Sequence, residues 1–109
     1  MRLNPVPFSQ IKSGAKTIEL RLYDEKRQKV RTDDFIEFTN NVTGEKITVR
    51  VAALHIFPSF RELYSTLPLD KCGYDDIKSA SYKDMEEYYS QNEQKKYGVV
   101  GIEIEPCFS

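Results

Sequence analysis

Three charged side chains, Lys16, Glu19 and Arg21, fall within six residues of the segment Gly14-Ala15-Lys16-Thr17-Ile18-Glu19-Leu20-Arg21. A guanidinium can hold a phosphate or a carbonyl with two donors, and an ammonium supplies a point charge. A carboxylate can accept from an exocyclic amino group such as that of cytosine. Together the three carry a net charge of +1, which suits an anionic or polar planar ligand. The same residues also fit a surface salt-bridge cluster on a half-exposed strand.

The elements around the segment decide whether the three groups can meet. Phe8 and Ile11 are three apart and Gly14 follows, so the spacing predicts a short helix with a glycine stop. The period then changes to two: Ile18, Leu20 and Leu22 share one strand face, and Thr17, Glu19, Arg21 and Tyr23 share the other. Parity alone puts Lys16 with Ile18. It reaches the charged face only if the chain swings at Gly14, where glycine frees the backbone.

Downstream, a strand is expected near Asp34–Thr39, a turn over Asn40–Gly44 and a long strand from Lys46 to His55, forming an antiparallel hairpin. Ser59 and Glu62 predict a capping box ahead of Phe60, Leu63, Tyr64 and Leu67, with Pro68 as the stop. Ser81 is expected to cap a helix through about Ser90, with Tyr82, Met85 and Tyr89 on one face. Gly98 opens a last strand, Val99–Glu105, with Val100, Ile102 and Ile104 alternating. This order fits an α+β domain built on a small curved sheet or open barrel, with helices inserted before the final strand.

At 109 residues the chain is expected to form one domain over residues 1–109. With 39% hydrophobic and 30% charged residues it is too rich in core-formers for a disordered tail and too charged for a membrane protein. No apolar run approaches a bilayer span and no signal leader opens the chain, so no membrane partner is expected. Cys72 and Cys107 are not a C-x-x-C pair, which predicts free thiols and a cytoplasmic setting. One histidine and two such cysteines exclude an ordinary zinc site, and no metal or other cofactor is expected. His55 reads as a satisfied structural histidine, and Asn41-Val42-Thr43 as a chance sequon in a turn. Residues 1–31 hold eight basic side chains against three acidic ones, and the other 78 residues hold eight against fourteen. That asymmetry suits a basic face for an anionic partner on an acidic body.

Gly14-x-Lys16-x-x-Glu19-x-Arg21 resembles the G-x-K-x-x-E-x-R signature of the ASCH domain, the activating-signal-cointegrator homology family of the PUA-like superfamily. Three flanking stretches carry the resemblance further. Pro7-Phe8 with Ile11–Gly14 resembles the family's opening helix. Asp33–Phe38 resembles its G-D-x-I-x-F strand, with Asp33 where glycine is usual, and Tyr97–Ile102 resembles its closing strand. The order and spacing are similar to those of a small stand-alone bacterial ASCH protein.

The resemblance implies a PUA-like β-barrel with a cleft between the barrel and the inserted helices, and a partner that is RNA or a modified nucleoside or nucleotide. On that reading Gly14, Lys16, Glu19, Arg21 and Tyr97 are the candidate ligand-binding residues. Lys26, Arg27, Lys29 and Arg31 are available to follow a phosphate backbone. Tyr23, Tyr82, Tyr88, Tyr89 and Tyr97 are candidates for stacking a base, with Tyr97 first because it adjoins the closing-strand motif. The acidic remainder favours a nucleoside-sized or single-stranded ligand over a long duplex.

Two enzymatic alternatives use the same cleft. Some small ASCH proteins are amidohydrolases of N4-acetylcytidine, with a lysine base and a threonine nucleophile three residues later. Here those positions hold Lys16 and Glu19, and Thr17 is the only hydroxyl in the signature. The catalytic candidates are therefore Lys16, Thr17 and Glu19, for amide cleavage or for a metal-independent ribonuclease. A further alternative is a protein-interaction adaptor using the acidic helices near Tyr82–Tyr89. No sequence feature sets an oligomeric state.

Overall fold

The computed structural model describes residues 1–107. Five strands form one sheet: β1 (Arg2–Leu3), β2 (Ile18–Leu22), β3 (Phe35–Asn40), β4 (Lys46–Phe57) and β5 (Val99–Pro106). Their order is β1-β3-β4-β5-β2, with β1 parallel to β3 and every other pair antiparallel. The predicted hairpin is present as β3 and β4, with Ile36 opposite Val49 and Phe38 opposite Ile47. β1 and β2 are the two edges of the sheet, yet Arg21 Nη2 on β2 lies 3.1 Å from the Arg2 carbonyl oxygen on β1. A flat sheet could not bring its edges that close, so the sheet curls into a half-barrel whose open seam lies between β1 and β2. A register shift between Val51 and Ala53 on β4 adds the local bend such curling needs.

The two sides of the sheet carry separate apolar clusters. Helix α1 (Pro5–Ser13) covers one side, where Phe8 and Ile11 pack with Ile36, Phe38, Val51, Val100 and Ile102. Pro5 suits the first turn because it lacks the amide proton that would go unsatisfied there, and Gly14 ends the helix in a left-handed conformation at φ 85°. Helix α2 (Phe60–Thr66) covers the other side, where Phe60 and Leu63 pack on Ile18, Leu20, Leu22 and Val99. The period-two reading of β2 therefore holds: its apolar residues form one packed face.

Three local features differ from the sequence-based expectations. β1 is only two residues long and has no period to detect. Ser59 does precede α2, but its side chain makes no cap to the backbone. Its hydroxyl bonds the Glu62 carboxylate instead, and the Phe60 amide donates to Gln94 Oε1 at 3.0 Å. The expected helix from Ser81 to Ser90 is a 3-10 segment, Tyr82–Glu87, while a true helix, α3 (Gln91–Tyr97), begins at Ser90. Gln94 is the only buried residue of α3, so no apolar stripe announced it. Its start is fixed by a capping box between Ser90 and Glu93.

The step from α3 into β5 depends on Gly98. Its φ of 74° and ψ of −175° lie in a region essentially reserved for glycine, and an added Cβ would stand 3.0 Å from the Phe57 carbonyl oxygen. Gly98→Ala is expected to lower stability by about 1–3 kcal/mol, read as a lower urea midpoint with an unchanged slope.

Candidate functional site

Lys16, Glu19 and Arg21 meet at the seam of the half-barrel. Glu19 is buried, and its carboxylate is gripped from both sides. Lys16 Nζ lies 2.8 Å from Oε1; Arg21 Nη2 and Nε lie 2.9 and 3.1 Å from Oε2. Arg21 Nη2 also donates to the Arg2 carbonyl, which ties the two sheet edges together. Burial opposes the charge on Glu19, but the neighbouring Lys16 and Arg21 charges and their hydrogen bonds outweigh it and hold its carboxyl below the usual range.

The turn between α1 and β2 swings Lys16 onto this face. Past the left-handed Gly14, the Lys16 amide donates to the Gln10 carbonyl at 3.0 Å, and the Thr17 amide donates to the Lys71 carbonyl at 2.9 Å. Gln10 Nε2 in turn donates to the Gly73 carbonyl. The Lys16 stem passes close to Gly73, where a Cβ would stand 3.3 Å from its Cδ. Two segments, α1 at Gln10 and the stretch Lys71–Gly73, thus fix a side chain that strand parity alone would have pointed elsewhere.

The three groups border an open cleft of about 330 Å³. Its lining also includes Arg2, Asn4 and Asn41 from the β1 edge and its neighbouring turn, and Tyr64, Tyr74, Tyr88 and Tyr89 from α2 and the segment that follows it. A cavity of this size lies at the lower end of the range for small-ligand pockets. An ammonium has three donors and a guanidinium five. Glu19 and the Arg2 carbonyl engage only some of these, so both cations keep donors for a ligand.

The other residues singled out from sequence are placed as follows. Gly14 and Thr17 do not line this cleft; they border a separate, much smaller hollow beside Ile104 and Pro106. Thr17 directly precedes β2, and its carbonyl accepts from the Ile104 amide in register with the β2–β5 ladder, yet the residue borders the small hollow and not the cleft that Glu19 lines. Tyr97 does not line the cleft either. It packs against the apolar cluster under α2, with Lys96 Nζ 5.0 Å from its ring centre. Tyr23 and Tyr82 pack on the two cores, while Tyr88 and Tyr89 do reach the cleft, Tyr88 with 65% of its surface exposed. Tyr89 also stacks on Phe60. Tyr82, Met85 and Tyr89 are half-buried against the apolar cluster under α2, and Met85 and Tyr89 also border the cleft.

Arg27 is engaged by Asp24 at 3.1 Å, and Lys26, Lys29 and Arg31 are exposed beyond the cleft rim. His55 Nε2 lies 3.6 Å from Glu103 across β4 and β5. Cys72 is buried, and that burial pushes its thiol up to about 11, so it is an inert thiol at neutral pH. Among the described residues no group of three or more His, Cys, Asp or Glu is gathered for a metal, and no helix is long and apolar enough to cross a membrane.

Sequence reasoning missed Tyr64 and Tyr74. Tyr64 follows Leu63 in an amphipathic helix and reads as a core residue; Tyr74 lies in a stretch without a period. The segment that carries Tyr74 is held by 3-10 turns at Leu69–Cys72 and Ile77–Ser79, which no hydrophobic pattern announces.

A curled sheet with helices on both sides and a charged cleft at its seam defines an α+β fold of the PUA-like kind. The family model for the ASCH domain matches residues 1–108, and the chain belongs to that family. It is similar to hypothetical protein PH0355, whose crystal structure superposes with a TM-score of 0.83 at 36% identity, covering 98% of this chain and 96% of that one. It is also similar to protein PF0455 from Pyrococcus furiosus, whose solution NMR structure gives a TM-score of 0.73 at 36% identity over 100% of both chains. No curated protein matches the chain.

Proposed function

We propose that this protein binds single-stranded RNA, or a modified nucleoside or nucleotide, in the cleft at the seam of its half-barrel. The observation that carries this reading is the Glu19 carboxylate, buried between Lys16 and Arg21 at the wall of an open cavity. A buried ion triplet is costly to desolvate and is weak evidence for stability by itself. Its use here is to hold two cations rigidly with donors to spare, facing exposed and half-exposed tyrosine rings. Cations for phosphate or carbonyl oxygens beside aromatic faces for a base are the two parts that single-strand recognition needs. The ASCH resemblance points the same way.

Two features favour binding over amide cleavage. Lys16 is engaged as an ion-pair cation with Glu19 and so serves as a donor, and the hydroxyl of Thr17 belongs to a residue outside the cleft lining.

Titration followed by tyrosine fluorescence tests the proposal, since the chain has seven tyrosines and no tryptophan. Single-stranded RNA and free nucleosides are expected to bind. For the oligonucleotide, log K should fall against log salt with a slope of about −0.7 to −1.4, the value for one or two phosphate contacts on a single strand. Absence of binding, or tighter binding of a long duplex with a steep salt slope, would overturn it.

A further inference from the structure

Beside the cleft a chain of hydrogen bonds runs outward from Tyr64. The Tyr64 and Tyr74 hydroxyls lie 2.7 Å apart, and the Tyr74 hydroxyl donates to Asp84 Oδ2 at 2.8 Å. A phenol has one proton to give. Because Tyr74 spends its proton on the Asp84 carboxylate, it can only accept from Tyr64, so the Tyr64 proton must point towards Tyr74. The Tyr64 oxygen then has no donor left, and its remaining lone-pair capacity is free to accept. Tyr64 and Tyr74 both line the cleft. The two rings meet edge to face at 76° with centres 5.8 Å apart, which fixes the pair. Burial pushes the Tyr64 phenol up to about 12. Burial, with the hydrogen bonds to Tyr64 and Asp84, pushes that of Tyr74 upward as well. Both therefore keep their protons at neutral pH, and the chain is one of neutral hydroxyls ending on a carboxylate.

In the same cleft, Lys16 and Arg21 offer only donors. The Glu19 carboxylate, the obvious acceptor from sequence, is already bound on both oxygens. The acceptor role that the sequence assigned to Glu19 is therefore open, and Tyr64 is placed to fill it.

We infer that Tyr64 is a specificity-determining acceptor of this cleft, selecting planar ligands that present an amino or N–H donor opposite their carbonyl or phosphate acceptors, and that Tyr74 and Asp84 are positioning residues that set the direction of its proton. The inference rests on the binding role proposed above and adds the kind of ligand edge that role would read.

Paired nucleosides that differ only in the amino group test it. Adenosine is compared with purine riboside, and cytidine with pyrimidin-2-one riboside. In each pair the second lacks the exocyclic amine and keeps the other acceptors. The wild-type protein is expected to prefer at least one amine-bearing partner by about five- to tenfold, the worth of one neutral hydrogen bond. In Tyr64→Phe that ratio falls to about one, while both nucleosides still bind through Lys16 and Arg21. In Tyr74→Phe the Tyr64 hydroxyl is released to donate into the cleft, so the ratio falls although Tyr64 is intact. A role in folding alone would leave the ratio unchanged, and a thermal melt of each variant reports any loss of fold separately. Equal affinities within both pairs for the wild type, or a preference that survives in Tyr64→Phe, would overturn this inference and leave the binding proposal standing. Failure of all four nucleosides and of single-stranded RNA to bind would overturn both.

Discussion

Glu19→Gln is expected to destabilise the protein by about 3–5 kcal/mol, the usual consequence of removing one partner from a buried ion pair. The substitution keeps the size and shape of the side chain, so the loss is electrostatic and not a cavity effect. It strands two cations: the Lys16 and Arg21 side chains retain only 11% and 16% of their exposure, and among the described residues neither has another carboxylate within ion-pair distance. Against a total stability of about 5–15 kcal/mol for a protein of this size, such a loss is readily visible in urea unfolding.

The same carboxylate sets an acid limit. Its folded pKa lies below its ordinary value of 4.5, so the unfolded chain takes up the proton first as the pH falls. The stabilisation is therefore complete above that value and is lost as the pH drops through the lower, folded one. Unfolding free energies measured from pH 6 downward should fall more steeply for the wild type than for Glu19→Gln over that window. Parallel curves would contradict the assignment of Glu19 as the buried anion.

Arg21→Ala is expected to weaken binding of single-stranded RNA by about ten- to hundredfold, the worth of a hydrogen bond to a charged group. Two losses combine. A donor disappears from the cleft wall, and the bond that Nη2 makes to the Arg2 carbonyl goes with it, releasing the two sheet edges that form the cleft. Arg21→Lys should recover only part of the affinity. An ammonium can restore the charge but cannot span Glu19 Oε2 and the Arg2 carbonyl with a fixed planar fork. Lys16→Ala should weaken binding without loosening the seam, because Lys16 contacts no atom of β1 by hydrogen bond or ion pair among the described residues. Equal affinity in the wild type and both alanine variants, each still folded, would show that the cations face a surface the ligand does not use.

Much of this site could be read from residue order, because strand and helix periods are local. The alternation of Ile18, Leu20 and Leu22 set the apolar face of β2 and, by elimination, the charged one. Gly14 marked the end of α1. Lys16 was different: its direction depends on a turn held by Gln10 and by the segment at Lys71–Gly73, which are far apart in sequence. The sequence pattern alone could give only a condition for it. Thr17 and Tyr97 lie near the signature in sequence, but Thr17 borders the small hollow one residue before β2, and Tyr97 is half-buried against the apolar cluster under α2. Tyr64 and Tyr74 went unnoticed for the converse reason. Their pairing joins residues ten apart through 3-10 turns and becomes visible only as a contact. Gln94 shows the same limit in the fold: a polar residue in a polar helix supplies the buried cap of α2, a role no hydrophobic pattern encodes.

The most direct measurement is a map of ligand contacts by NMR, with isotope-labelled protein titrated with a short single-stranded RNA. Shift changes should gather on the backbone and side chains of Lys16, Arg21, Tyr64 and Tyr88, and remain small at Lys29 and Arg31. Changes confined to the charged loop between β2 and β3, with the seam unaltered, would contradict the claim that a buried carboxylate and its two cations form the binding surface.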